Sequence, residues 1–117
     1  MKKLLIGSVA ASGLMAGGAW AAEKIVVVTS FPEEMTAVIE KAFEGAHPEY
    51  DIEILNKSTS SGVKYVQEIA SANTADIFWA SAPDAFEVLR QRKLLQSYKP
   101  KATGIPEKIG SYPINGP

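Results

Sequence analysis

The sequence predicts an α/β domain built on a parallel three-stranded sheet in the order 2-1-3. Three segments with strand character alternate with three segments of helical periodicity. This alternation is typical of a parallel sheet with right-handed crossovers and helices on both faces. The first and third strand segments are largely apolar, whereas the second alternates apolar and polar residues. Strands without alternation are buried on both faces, so we expect the second strand at an edge and the first in the middle.

The first strand and the first helix are the most clearly marked elements. Residues 24–29 (KIVVVT) form a run of β-branched residues, typical of a buried strand. Residues 30–33 (SFPE) then predict a helix start, with Ser30 as cap, a proline in the first turn and Glu33 as in a capping box. Gly45 and the pair His47-Pro48 end the helix. Its apolar residues fall at helical spacing and form one apolar stripe: Met35, Val38, Ile39, Ala42 and Phe43.

The chain after the first helix continues the alternation of strands and helices. Residues 50–55 (YDIEIL) alternate as a half-exposed strand, and a second helix follows with one apolar face and an end near Asn73. Residues 75–80 (ADIFWA) predict the third strand. Residues 81–84 repeat the Ser-x-Pro-acid helix opening, and the third helix runs to about Lys93, with Ala85, Phe86 and Leu89 facing inward. We assign the chain beyond Leu95 as irregular, because it is rich in prolines.

The N-terminus has the pattern of a secretory signal peptide. Lys2 and Lys3 precede an uncharged apolar stretch over residues 4–18, and residues 19–21 (AWA) match the small-x-small cleavage pattern. The stretch is too short for a membrane span. We therefore predict a cleaved signal peptide over residues 1–21, a domain over residues 22–117, and a periplasmic protein without a direct membrane anchor.

Composition excludes several classes of protein. The chain has no cysteine, which excludes a disulfide scaffold, a thiolate metal site and a lipidated cysteine. Without Lys2 and Lys3, ten basic residues face 13 acidic ones. This negative balance argues against nucleic acid or an anionic lipid surface as the main partner. One histidine and scattered carboxylates give no pattern of metal ligands.

A candidate binding site follows from the predicted topology. In open α/β sheets, ligands bind outside the carboxyl ends of the strands where the strand order switches, here between strands one and three. The first strand leads to Ser30, the second to a hydroxyl run at residues 58–61 followed by Gly62, and the third to Ser81. Hydroxyl groups and free N–H groups at helix N-termini suit a bound anion. Simple helix capping by the serines is the alternative.

No catalytic motif accompanies these serines. The sequence has no phosphate-cradling nucleotide loop, no dinucleotide fingerprint after the first strand and no G-x-S-x-G elbow. His47, the one histidine, follows the first helix at the opposite edge of the predicted sheet, where we expect a surface residue. Trp79 either lines the cleft or packs in the core, and Tyr65 is expected in core or rim packing. We therefore predict a binding protein without a cofactor, and not an enzyme.

Several segments resemble the first lobe of extracellular solute-binding proteins of bacterial ABC transporters. They are the signal peptide, KIVVVTS, AFEGAHPEY, DIFWASAPDAFE and LLQSY. Within that family the chain is most similar to the iron(III)-type branch, which includes binders of phosphorylated compounds. The resemblance implies the type 2 periplasmic-binding fold, in which two α/β lobes close on a solute. It also implies that the chain is the N-terminal lobe of a longer protein, with ligand-binding residues in the loops after the three strands: Thr29, Ser30, Ser60, Ser61, Gly62, Ala80 and Ser81.

We therefore expect the periplasmic component of an ABC importer that captures a small anionic solute, with a phosphorylated organic compound or a phosphonate favoured. Its partners would be that solute and an ABC permease in the inner membrane, and we expect a monomer. Three alternatives stay open: an iron(III)-binding component, a ligand-sensing subunit of a two-component system, and an exported phosphate-ester hydrolase. The hydroxyl-rich loop makes a polyamine ligand a poorer match than an anion.

Overall fold

The computed structural model describes residues 20–114 and residue 116. Most of the predicted signal peptide, residues 1–19, lies outside the described residues. The described elements follow in this order: β1 (Glu23–Thr29), α1 (Glu33–Ala46), β2 (Tyr50–Asn56), α2 (Thr59–Glu68), β3 (Ile77–Trp79), α3 (Pro83–Gln91), β4 (Lys108–Ile109) and β5 (Tyr112–Pro113).

The strands β1, β2 and β3 form a parallel sheet in the order β2-β1-β3, which confirms the predicted topology. β1 lies in the middle and pairs along its whole length with β2. Its residues Val27 and Val28 are buried, as expected for a run of β-branched residues between two neighbours. Thr29 at the end of β1 lies opposite Asn56 on one side and opposite Trp79 on the other. The carboxyl ends of all three strands therefore meet at one edge.

Helices lie on both faces of this sheet, as predicted. α1 contacts β2 on one face. On the opposite face, α2 lies so close to the sheet that a Cβ at Gly62 would come within 3.1 Å of Phe78 and 3.3 Å of Val28. α3 packs beside α2, and the ring of Phe86 meets the ring of Phe78 edge-on at 5.4 Å. The inward-facing residues predicted for α3 are confirmed, since Ala85 and Leu89 are buried and Phe86 is half-buried.

The apolar stripe of α1 is exposed. Of the helix's described residues only Thr36 is buried, whereas Met35, Val38, Ile39 and Phe43 are exposed and Val38 is 67% exposed. α1 is the one described helix on its face of the sheet, so no described helix packs against its flank. The space beside it is an apolar groove of about 240 Å³, bounded by Ile39 and Phe43 of α1 and by Ile77 and Trp79 of β3.

Both predicted serine caps at α1 and α3 are wrong. The N-cap of α1 is Pro32 and that of α3 is Ala82, and neither makes a side-chain capping hydrogen bond. Ser30 and Ser81 lie in the loops before those caps. At α3, Pro83 is the first helical residue, where a fixed φ and a missing N–H are tolerated without a hydroxyl cap. At α1, Pro32 itself occupies the cap position.

Three further boundaries differ from the predictions. α2 ends at Glu68, with turns over residues 69–73 in place of a last helical turn. β3 has three residues, and Asp76 just before it donates its backbone N–H to Val26 O and accepts from Val26 N through its carboxylate at 2.8 Å. The segment assigned as irregular contains a short antiparallel hairpin, β4–β5. Among the described residues, no helix has the length and apolarity that crossing a membrane requires.

Candidate functional site

The candidate site is the edge of the sheet where the three parallel strands end. The register places Thr29, Asn56 and Trp79 side by side, so Ser30, Lys57 and Ala80 are the next residues at the same edge. The backbone N–H of Lys57 donates to Thr29 O at 2.9 Å and extends the pairing of β1 and β2 by one residue. The sequence-based site residues are thus brought to one edge.

Thr29 has a structural task at this edge. Its side chain is 1% exposed, and its hydroxyl oxygen accepts a hydrogen bond from Phe31 N at 3.1 Å. The carbonyl of Phe31 in turn accepts from the side-chain amide of Asn56 at 2.6 Å. These two bonds fix the loop after β1 against the end of β2. Asn56, which the sequence reasoning did not single out, therefore positions the site, and Thr29 offers little surface to a ligand.

The hydroxyl run begins with a helix cap. Ser58 is the N-cap of α2, and its oxygen accepts a hydrogen bond from Ser61 N at 3.3 Å. The capping alternative is therefore correct for this one serine. The Ser58 hydroxyl also donates to the Ser61 hydroxyl oxygen at 2.9 Å. Because a hydroxyl is both donor and acceptor, Ser61 accepts the hydrogen bond from Ser58 and can donate a hydrogen bond of its own elsewhere.

Capping leaves donors available at the first turn of α2. No described residue accepts a hydrogen bond from the N–H groups of Thr59 or Ser60. Ser60 and Ser61 are exposed, and the Ser60 hydroxyl has no hydrogen-bond partner among the described residues. These N–H groups lie at the positive end of the helix dipole. Two N–H groups and two hydroxyls are therefore free to donate to one ligand.

Gly62 contributes through packing. Its N–H donates to Ser58 O at 2.8 Å, so the group is already used within the first turn. Its Cα faces Phe78 and Val28, where a side chain would crowd the core. The glycine lets α2 approach the sheet and so sets the position of the serines, and it has no free N–H to offer a ligand.

The other two serine loops end near the same edge. Ser30 is half-buried and Ser81 is exposed, and neither hydroxyl bonds to a described residue. Ala80 and Ser81 line a cavity of about 370 Å³ together with Ile109 of β4 and Pro113 of β5. The hairpin therefore lies over the loop after β3.

The charges around the three helix starts differ. The first turn of α1 carries Glu33 and Glu34, and that of α3 carries Asp84. The first turn of α2 carries no acidic residue, so an anion there meets no carboxylate from its own helix. Lys57 directly precedes Ser58, the N-cap of this helix, and its ammonium group lies 4.7 Å from the centre of the Tyr65 ring.

Lys57 is the site residue that the sequence reasoning missed. Its ammonium group forms no ion pair with a carboxylate in the described part of the chain. The signal for it was present in the sequence, as a basic residue immediately before the hydroxyl run. The sequence alone could not show that Tyr65, two turns into α2, holds this charge beside the helix.

An aromatic pair lies at the ends of β1 and β3, on the face of the sheet that α1 covers. The ring of Phe31, in the loop after β1, lies 4.9 Å from the ring of Trp79, with the planes tilted by 43°. Both side chains are half-buried. Trp79 therefore contacts the loop that the sheet topology places at the binding crevice, and it also bounds the apolar groove beside α1.

His47 lies at the opposite edge, as predicted. It is exposed, with its ring nitrogen Nδ1 3.3 Å from the Glu49 carboxylate, and its ring contacts Phe43 and Tyr50. Among residues 20–114 and 116, no group of three His, Cys, Asp or Glu side chains could hold a metal ion.

Comparison of the chain with protein-family models, curated proteins and solved structures gives no match.

Proposed function

We propose that this chain is the solute-binding component of an ABC importer and binds a small anionic solute at the carboxyl edge of its sheet. A phosphorylated organic compound or a phosphonate is the favoured class. The observation that carries the proposal is the first turn of α2. It combines two N–H groups without acceptors, the exposed hydroxyls of Ser60 and Ser61, and the absence of a carboxylate. The resemblance of the sequence to extracellular solute-binding proteins supports the transport role.

The contacts suggest how an oxyanion would be held. Its oxygens accept from the N–H groups of Thr59 and Ser60 and from the hydroxyls of Ser60 and Ser61. Ser58 supports Ser61 by donating to its oxygen, so the remaining proton of Ser61 is directed away from Ser58. Lys57 adds a positive charge beside this turn. Charged acceptors strengthen such hydrogen bonds, which favours an oxyanion over a neutral polyhydroxylated solute.

Transport requires more than this edge. In the proposed mechanism the chain is the N-terminal lobe, and a second lobe closes over the solute by a hinge motion. The closed form then docks on a permease in the inner membrane. The protein in this mechanism only binds the solute: the serines act as hydrogen-bond donors, and no covalent bond of the solute is broken.

Calorimetric titration with a panel of phosphate esters tests the site. We expect the Ser60→Ala and Ser61→Ala variants to bind the best ester about 1–3 kcal/mol more weakly, the cost of leaving a buried polar partner unsatisfied. The matched control is Ser71→Ala, which removes the hydroxyl of an exposed serine in the turn after α2. Unchanged affinity in both site variants would contradict the assignment of Ser60 and Ser61 as hydrogen-bond donors to the solute.

A thermal-shift panel tests the class of solute. Phosphate esters and phosphonates are expected to raise the melting temperature, since a ligand that binds only the folded state stabilises it. Iron(III) and a polyamine serve as competing ligands in the same panel. Stabilisation by iron(III) or the polyamine alone would contradict the anionic class.

A further inference from the structure

One side of α1 is both apolar and exposed. We call this surface the outer stripe; it consists of Met35, Val38, Ile39 and Ala42, which recur at helical spacing. All four side chains are exposed, and Val38 is 67% exposed. The apolar groove beside α1 continues this surface from Ile39 onto the sheet. A contiguous apolar surface of this kind is typical of a site where another protein docks.

The helix is attached to the sheet by its other side. Thr36 is buried, and the Glu44 carboxylate accepts a hydrogen bond from Ile52 N of β2 at 2.8 Å. At 3.6 residues per turn, Thr36 lies nearly opposite Val38 around the helix axis. The outer stripe therefore does not hold α1 on the sheet, and its side chains are available to a second protein.

Two opposite charges flank the outer stripe. Glu34 and Lys41 are exposed, and neither forms an ion pair with a described residue. They are seven residues apart and so lie on the same side of the helix, two turns from each other. The other glutamates of α1 are spaced three, four or eight residues from Thr36 and lie on its side of the helix: Glu33, Glu40 and Glu44. The margin of the outer stripe thus carries one negative and one positive charge, near its two ends.

This arrangement is complementary to itself. If two copies of α1 pack antiparallel about a two-fold axis through the middle of the outer stripe, Met35 of one copy lies opposite Ala42 of the other. A large side chain then meets a small one. Glu34 of one copy comes within two residues, about 3 Å along the axis, of Lys41 of the other. The symmetry forms this ion pair twice, whereas a parallel pair of helices would bring like charges together.

We propose that the outer stripe of α1 is the interface between two copies of this chain, which pack α1 against α1 in antiparallel orientation. A surface that matches itself is what a two-fold dimer requires, and charges beside an apolar seam set the partner and its orientation. A dimer would replace the monomer that we expect from the sequence. The interface leaves the proposed solute site open, because α1 and α2 lie on opposite faces of the sheet.

The proposed interface is small. α1 has 14 residues, so the seam is about 20 Å long and belongs to the small, transient class of interfaces. We therefore expect a dissociation constant in the micromolar to millimolar range.

Sedimentation equilibrium of the full chain tests the charged margin. We expect Glu34→Lys and Lys41→Glu each to weaken the dimer about tenfold, because like charges then replace both opposite pairs. An equimolar mixture of the two variants should regain the affinity of the unmodified chain, since an acidic margin then meets a basic one. This recovery also requires both variants to be folded. Unchanged dimerisation in both single variants, or no recovery in the mixture, would overturn the antiparallel pairing.

A second pair of variants tests the apolar seam. Val38→Asp should make the chain monomeric, and the fold does not depend on this exposed side chain. The matched control is Val88→Asp, which changes an exposed valine of α3 and should dimerise like the unmodified chain. A dimer that survives Val38→Asp, or an unmodified chain that stays monomeric at millimolar concentration, would overturn the interface.

Discussion

Gly62 and Gly45 are both helical glycines, but their surroundings are opposite. A Cβ at Gly62 would meet Phe78 at 3.1 Å and Val28 at 3.3 Å, whereas a Cβ at Gly45 has nothing within 4 Å. Glycine is disfavoured in a helix by about 1 kcal/mol relative to alanine. Replacing a helical glycine by alanine therefore stabilises the helix. At position 62 this gain is opposed by the cost of crowding a packed core, typically about 1–3 kcal/mol.

We therefore predict that Gly45→Ala raises the free energy of unfolding by up to about 1 kcal/mol, as helix propensity dictates. The same change at Gly62 should lower it by about 1 kcal/mol, since overpacking exceeds the propensity gain. Urea denaturation of the two variants checks both signs. An equal gain in stability at both positions would show that α2 does not lie against the sheet as described.

Glu87 gives the chain an acid-sensitive contact. Hydrogen bonds from the Arg90 guanidinium, and then from Gln91, lower the pKa of this carboxyl from 4.5 to about 2. Because the folded-state pKa lies below the unfolded one, the contact stabilises the fold fully above about pH 4.5, and this stabilisation is lost as the pH falls towards 2. The stability difference between the unmodified chain and Glu87→Gln should shrink across that window.

Denaturation at a series of pH values measures this difference. Glu107→Gln is the control, because Glu107 is an exposed glutamate that forms no ion pair with a described residue. A gap between the unmodified chain and Glu87→Gln that stays constant from pH 5 to pH 2 would contradict the assigned pair of Glu87 and Arg90.

Among the elements, α3 shows most clearly how one helix divides between core and surface. Leu89 is fully buried, while its neighbour Val88 is 40% exposed. Truncating a buried leucine to alanine typically costs about 2–5 kcal/mol, and surface substitutions usually change stability by less than about 0.5 kcal/mol. We expect Leu89→Ala to lower the free energy of unfolding by about 2–5 kcal/mol and Val88→Ala to lower it by about 0.5 kcal/mol or less. Thermal or chemical denaturation measures both changes. Similar losses at both positions would mean that α3 is rotated from the described orientation.

The elements also show where prediction from sequence ends. β1 and the inner face of α3 follow from local patterns, because a β-branched run and a helical stripe each identify a buried surface. The exposure of the apolar stripe of α1 has a cause outside α1. Its apolar residues could be buried only by another element, and no described helix lies beside them. Ser30 and Ser81 failed as caps because Pro32 occupies the cap position of α1, and Ala82 occupies that of α3 directly before Pro83.

For the whole molecule, the strand order and the shared edge of the three loops were predictable, because connection rules leave few ways to arrange three alternating strands and helices. The roles of single residues at that edge were not. Gly62 and Thr29 were expected to contact a ligand, yet one packs α2 onto the sheet and the other holds Phe31. Asn56 gained its role from a partner distant in sequence, Phe31, and Lys57 from the ring of Tyr65 in the helix that follows it.

The central claim is that an organic oxyanion binds at the carboxyl edge of the sheet. Mapping amide chemical shifts during titration with phenyl phosphate tests it most directly. The account predicts the largest changes at Thr59 and Ser60, whose N–H groups have no acceptor among the described residues, with smaller changes at Ser30 and Ser81. His47 and Tyr50, at the opposite edge, should not change. The absence of any change, or changes centred on His47 and Tyr50, would contradict the claim.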